Sequence, residues 1–313
     1  MTCVGFLEIF KLKLILKSMK LTKWIPVTIF LLTMVSCDKR PDEIIACGDD
    51  QVIVIDSKAS DKEDVRILWR WKVSEAKDLP DPYQKYLIPT DECKPVEGNK
   101  KILITSSGGG VVLVDRKSKK SLFYAHSPMA HSAEILPNNR VVIALSTHPD
   151  GNSLEVYDLN ESERVIFKDS LYSGHGVVWM NKMKSLFALG YNELRRYSLK
   201  NWNSDKPELQ LEDKWILPDN GGHDLISISE TGLILTTTKS VWVFNIPEEQ
   251  FSPFELLGQV SNIKSVNYNE SVKELVYTKG EISWWTHNIY CKNPDKTLII
   301  HEINLYKARV NPK

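Results

Sequence analysis

The chain has 313 residues, enough for one or two domains, and its forty basic residues are balanced by forty acidic ones. With no net charge there is no field to hold a phosphate backbone, which argues against nucleic acid as a partner. Nine Trp, eleven Tyr and nine Phe are ample for a core and leave aromatics over for a stacking surface.

The first elements are an address. From Met19 the chain has a positive start (Lys20, Lys23), an apolar run from Trp24 to Val35 too short to span a bilayer comfortably, and a small-residue cleavage point at Ser36-Cys37. This resembles a bacterial lipoprotein signal over 19–36, with Met34 where Leu is usual and Cys37 as the lipidated first residue of the mature chain. Residues 1–18 do not fit before a signal that has its own Met, so translation is expected to start at Met19. A polar tether over 37–43 then precedes the folded domain, 44–313. The resulting expectation is an outer-membrane lipoprotein of the cell envelope, facing the periplasm or the surface, held to the membrane by its lipid.

The domain opens with Val52-Ile53-Val54-Ile55-Asp56, an apolar β-rich pentad closed by a turn residue. Similar pentads end at Asp115, Asp158, Ser198, Asn245 and, more loosely, at Thr286 in Ile282-Ser283-Trp284-Trp285-Thr286. After a longer first interval they recur every roughly 40 to 47 residues, the period of a propeller blade. Each pentad lies in a unit of strand, polar turn, strand, pentad and a more polar fourth run, as in Ser132–Leu136, Val141–Leu145, the pentad at 154–158 and Arg164–Lys168. The pattern predicts an all-β, six-bladed propeller, with seven blades as an alternative that needs an unrecognised unit. The first unit lacks its inner strand, and the run from Thr297 to Val310 is long enough to finish the sixth blade and lend a strand to the first. Ser74 to Cys93, with its prolines, reads as an insertion on the rim or face. Cys47, Cys93 and Cys291 have no CxxC spacing for a metal; export would permit a disulfide between two of them.

Candidate chemistry sits where the inner strands begin. Asp91 (or Thr90), His131, His175, His223 and Lys264 recur at the blade period, so their side chains are expected to stack around one ring. Three imidazoles converging on an axis could bind a divalent metal or a carboxylate, which makes His131, His175 and His223 the candidate metal ligands. His126 and His148 map to connections opening on the same face, and with Asp91 and Asp224 they complete the candidate ligand-binding set. Lys264, facing imidazoles, is expected to have a depressed pKa and is the candidate catalytic base. The alternative for all of these is a hydrated channel lining with no ligand. Trp284-Trp285 offers a stacking platform, although adjacent strand residues point to opposite faces. No G-x-S-x-G elbow, Walker loop, H-E-x-x-H or dinucleotide fingerprint is present.

The lipid signal, the segments Ala130–Pro137, Gly174-His175-Gly176 and Gly221-Gly222-His223-Asp224, and the ending Leu305-Tyr306-Lys307-Ala308-Arg309 together resemble a family of uncharacterised six-bladed-propeller lipoproteins from Gram-negative gut-type bacteria. That family carries no known reaction. A remoter likeness, by placement of the three histidines only, is to propellers of the oligogalacturonate lyase type, where the resemblance implies a manganese ion beside a uronate. The fourth, amide-type ligand has no counterpart. Three functions compete: a glycan-binding or glycan-processing lipoprotein, a metal-dependent uronate-oligosaccharide lyase, and a non-catalytic scaffold for an envelope protein partner.

Overall fold

A computed structural model describes residues 42–310; the 1–18 extension, the signal and Cys37 lie outside them. The described strands form six antiparallel four-stranded sheets, the blades of a six-bladed β-propeller, so the count is six and not seven. The first blade takes β1 (Glu43–Gly48), β2 (Gln51–Asp56) and β3 (Ile67–Lys72) from the start of the chain and its inner strand, β24 (Leu305–Val310), from the end. β24 lies antiparallel to β1, from Ile44 opposite Val310 to Cys47 opposite Lys307. The run that sequence reading left undivided therefore splits. Its first part, β23 (Lys296–Ile299), is the outer strand of the sixth blade, and its second part closes the ring. The other inner strands are β4 (Thr90–Val96), β8 (Ala130–Leu136), β12 (Gly176–Met180), β16 (Asp224–Ser227) and β20 (Ile263–Asn269).

The first two pentads, 52–56 and 111–115, are apolar at every position but the last because each blade is sandwiched between two others. Successive side chains on a strand point to opposite faces. Val52 and Val54 thus pack with Ile102, Ile104 and Val112 of the second blade, while Ile53 and Ile55 pack with Val276 and Ile289 of the sixth. Six such apolar clusters occur, one at each junction between neighbouring blades. Cys47 and Cys93 are buried in the first and Cys291 in the last, all three unpaired.

One expectation changes. The sixth pentad, 282–286, is not a strand: Ile282 and Trp285 bridge across a turn, and the third strand of that blade is β22 (Asn288–Lys292). Its aromatic pair imitates strand composition, but Trp284 stands 56% exposed in the connection. The insertion is a cover. Leu79, Tyr83 and Leu87, around the single-turn helix α1 (Tyr83–Tyr86), bury themselves in the cluster between the first two blades.

Candidate functional site

The inner strands all begin at the same mouth of the channel, and in four of them the pairing skips one residue there. Thr90 faces Ser106 but Glu92 faces Thr105; Ala130 faces Leu145 but Ser132 faces Ala144; Ile263 faces Lys279 but Ser265 faces Thr278. In the closing blade Leu305 faces Gly48 and Lys307 faces Cys47. The skipped residues are Asp91, His131, Lys264 and Tyr306. His175 and His223 hold the matching place in the other two blades: their amides donate to the Leu189 and Thr236 carbonyls, whose residues already pair with Gly176 and Asp224. A β-bulge leaves its extra residue outside the ladder and re-aims its side chain. Six bulge-like positions thus collect Asp91, His131, His175, His223, Lys264 and Tyr306 at one mouth.

The imidazoles meet. Ring centroids of His131 and His175 lie 4.4 Å apart, those of His175 and His223 5.1 Å, and His131 stands 6.4 Å from Tyr306. His131 Nδ1 bonds the Met129 carbonyl at 3.0 Å and His175 Nδ1 the Ser173 carbonyl at 2.9 Å. A carbonyl only accepts, so Nδ1 carries the proton in both and the Nε2 lone pair is left free. The turn carrying His223 is made by Gly221, at φ +80°, and Gly222, whose Cβ would meet the Gly190 carbonyl oxygen at 2.4 Å. Lys264 Nζ is buried without a hydrogen-bond partner, 4.6 Å from the centroid of the Trp284 ring. Trp284 in turn stands edge-on to His223 at 6.3 Å.

One layer deeper lies a fully buried charge network. Arg309 donates to Glu92 through Nε at 2.7 Å and through Nη2, and to Asp224 through Nη1 at 2.8 Å and Nη2. Lys307 Nζ reaches Asp224 at 3.1 Å, and Glu92 and the His223 carbonyl at 3.3 Å. At the far mouth a cavity of about 590 Å³ is lined by Lys94, Glu134, Trp179, Asn267, Tyr268 and Arg309, among others. Its main polar groups are taken: Lys94 pairs with Glu134 and the Val177 carbonyl, and the Asn267 amide holds the backbone at Ala308 and Val310. Unsatisfied chemistry is therefore at the histidine mouth.

Residues 39–311 match a family described as one of unknown function, DUF6528, a span that takes in the whole ring. The chain belongs to the DUF6528 family. No curated protein matches it.

In this DUF6528 protein burial sets the protonation of the mouth. Desolvation lowers His131 to about 4 and His223 to about 3, and drives His175 well below the usual imidazole value, with Lys307, Lys264 and the neighbouring rings adding to it. All three are neutral at pH 7. Lys264 is lowered to about 8, first by burial and then by Lys307; the expected repulsion from charged imidazoles plays no part, because the imidazoles are uncharged. Burial works against the charges of Glu92 and Asp224, but Arg309 and Lys307 outweigh it and hold both carboxylates ionised. Asp91 is raised to about 7 by burial, opposed by its bonds to Ser107.

The expected ring is therefore assembled, but the wider site is not. Asp91 turns its carboxylate to the Ser107 amide, and Asp224 belongs to the deeper network. His126 ends β7 (Ser121–His126), the outer strand of its blade, and stacks on Tyr86 at 4.1 Å out on the rim. His148 bonds the Asp150 amide within its own loop. Among the described residues no group of three or more His, Cys, Asp or Glu side chains is arranged to hold a metal ion. The imidazoles lie beside two cations and face no free carboxylate, a setting that opposes a third cation and suits an anion. Sequence reading missed Tyr306 as the sixth ring member and Lys307 and Arg309 beneath it. The available signal was two cations two residues apart on one strand, unusual in an apolar inner strand.

These shifts fix how stability responds to pH. In the folded chain His131 takes its proton only near pH 4 and His223 near pH 3, and His175 well below its ordinary value, whereas unfolded imidazoles do so near 6.5, so each adds stability as pH rises towards that value. Asp91 acts oppositely, holding when folded a proton that the unfolded chain loses near 3.9. The balance is about two protons, an upper slope of ~2–3 kcal/mol per pH unit. Urea unfolding at pH 4.5 and 6.0 should show the higher stability at pH 6.0; equal midpoints would contradict neutral imidazoles.

Proposed function

We propose that this protein is an envelope lipoprotein, anchored through Cys37, that binds the carboxylate of an acidic glycan at the histidine mouth of its propeller. The observation that carries the reading is Lys264: a buried ammonium with no hydrogen-bond partner, beside neutral imidazoles, where Glu92 and Asp224 already belong to Lys307 and Arg309 and Asp91 is turned to the Ser107 amide. An unpaired buried charge is costly, and its missing partner is an anion. Trp284, exposed above the ammonium, adds an aromatic face of the kind sugars stack on. The first strand, β1, begins beside Val310, at the mouth opposite the imidazoles.

Calorimetric titration with galacturonate and with galactose tests it. Binding of the acid, and roughly tenfold or weaker binding of the neutral sugar, is expected from a single charge-assisted contact. Equal affinities would remove the carboxylate contact, and no binding of either sugar would move the protein to the scaffold class. A second reading, a lyase, is favoured by the free Nε2 lone pairs of His131 and His175 beside an ammonium. Such a nitrogen can take the proton on the carbon next to a uronate carboxylate clamped by Lys264; the C–H electrons form a double bond to the adjacent carbon, its C–O bond breaks, and the leaving oxygen takes a proton from water. The unsaturated product absorbs in the ultraviolet; a flat absorbance trace with oligogalacturonate leaves the protein a binder.

A further inference from the structure

The same face carries a second aromatic platform. Tyr172, 56% exposed, lies in the connection from β11 (Val165–Ser170) to β12, and Tyr191, 40% exposed, lies in the connection from β13 (Ser185–Leu189) to β14 (Glu193–Lys200). Both connections open on the histidine mouth. The two rings meet edge to face at 5.6 Å and leave the rest of their surfaces to solvent. They are tied to the ring by backbone. The Tyr191 amide donates to the Tyr172 carbonyl at 3.0 Å, and the Tyr191 carbonyl accepts from Gly221 at 2.7 Å and Gly222 at 3.1 Å, the turn that places His223. Tyr172 also precedes His175 by only three residues, with Ser173 holding that imidazole between them.

The order across the mouth is therefore tyrosine pair, His175, His223, Trp284, running from the fourth blade to the sixth. A cation at one end of such a line of aromatic faces, under Trp284, is more than one small acid needs. We infer, building on the carboxylate reading above, that the ligand is an oligosaccharide, its acidic unit over Lys264 and a further unit stacked on Tyr172 and Tyr191. The stacked faces explain why two tyrosines stay in water when nothing in the fold requires them there. An acidic peptide would meet the charge but gain little from an aromatic shelf built for flat, weakly polar sugar faces.

The test compares galacturonate, its α-linked trimer and a triglutamate peptide as calorimetric ligands of the purified protein. The trimer is expected to bind more tightly than the monomer, and Tyr172→Ala with Tyr191→Ala to lower trimer affinity about five- to tenfold, the worth of an aromatic contact. The corresponding Phe variants keep the stacking face and should keep the affinity. Leu211→Ala, on the exposed outer strand of the same blade, is the control for surface change. Monomer and trimer binding alike, with the tyrosine variants matching wild type, overturns the extended site while the carboxylate site stands. Failure of both sugars removes the carboxylate site too, and triglutamate binding as tightly as the trimer replaces the oligosaccharide with a peptide.

Discussion

Arg309→Met is expected to destabilise the propeller by about 3–5 kcal/mol, the cost of breaking one partner out of a buried ion network. The guanidinium bridges Glu92 of the second blade and Asp224 of the fifth from a strand that belongs to the first. Without it, two fully buried carboxylates share Lys307 as their one ion-pair partner, with a single backbone amide left to each, Cys93 to Glu92 and Val266 to Asp224. The loss is a solvation effect, since an ionised oxygen deprived of its donor in a low-dielectric channel cannot turn to water. Removing a charge of each sign should therefore cost less than removing one. The double variant Glu92→Met with Arg309→Met is expected to recover most of the lost stability, and the shortfall measures their coupling. Denaturant midpoints of the three proteins check this. A single variant within about 1 kcal/mol of wild type would mean that the network does not hold the ring closed.

Lys264→Met should separate stability from binding. The ammonium has no hydrogen-bond partner and only the Trp284 face to offset its burial, so replacing it with an apolar side chain of similar length is expected to raise the melting temperature. The same change should weaken uronate binding by about 1.5–3 kcal/mol, roughly ten- to a hundredfold, because it deletes a charge-assisted contact. A residue that costs the free fold and serves a ligand is the pattern of a binding site. A purely structural lysine would show the reverse, with stability lost and binding untouched.

The blades were legible in the sequence because a sheet buried on both faces has no polar alternation to hide it. Val52 to Ile55 and Val111 to Val114 read as strands on composition alone. The ring was legible because its members recur with the blades: His131, His175, His223 and Lys264 keep one place in successive units. Tyr306 escaped because it sits in the strand that crosses from the end of the chain to the first blade, where no count from a preceding unit reaches it. The network of Lys307, Arg309, Glu92 and Asp224 escaped for the same reason, since its partners are more than 80 residues apart and meet only when the circle closes. The bulges leave no mark on composition at all. A skipped residue and a paired one look the same in a sequence, and only the register shows that six side chains were turned to one mouth. His126 and His148 share the face but not the radius, a distinction that strand position within the blade decides and spacing does not.

The affinity of wild type and Lys264→Met for galacturonate, followed from pH 6 to pH 10, tests the site most directly. Lys264 titrates at about 8 in the free protein, and a bound carboxylate favours its charged form, so wild-type affinity should hold below pH 8 and fall as the ammonium loses its proton. The variant should bind weakly at every pH. A wild-type affinity that stays flat through pH 8, or a variant that binds as tightly as wild type, would contradict an anion site built on that lysine.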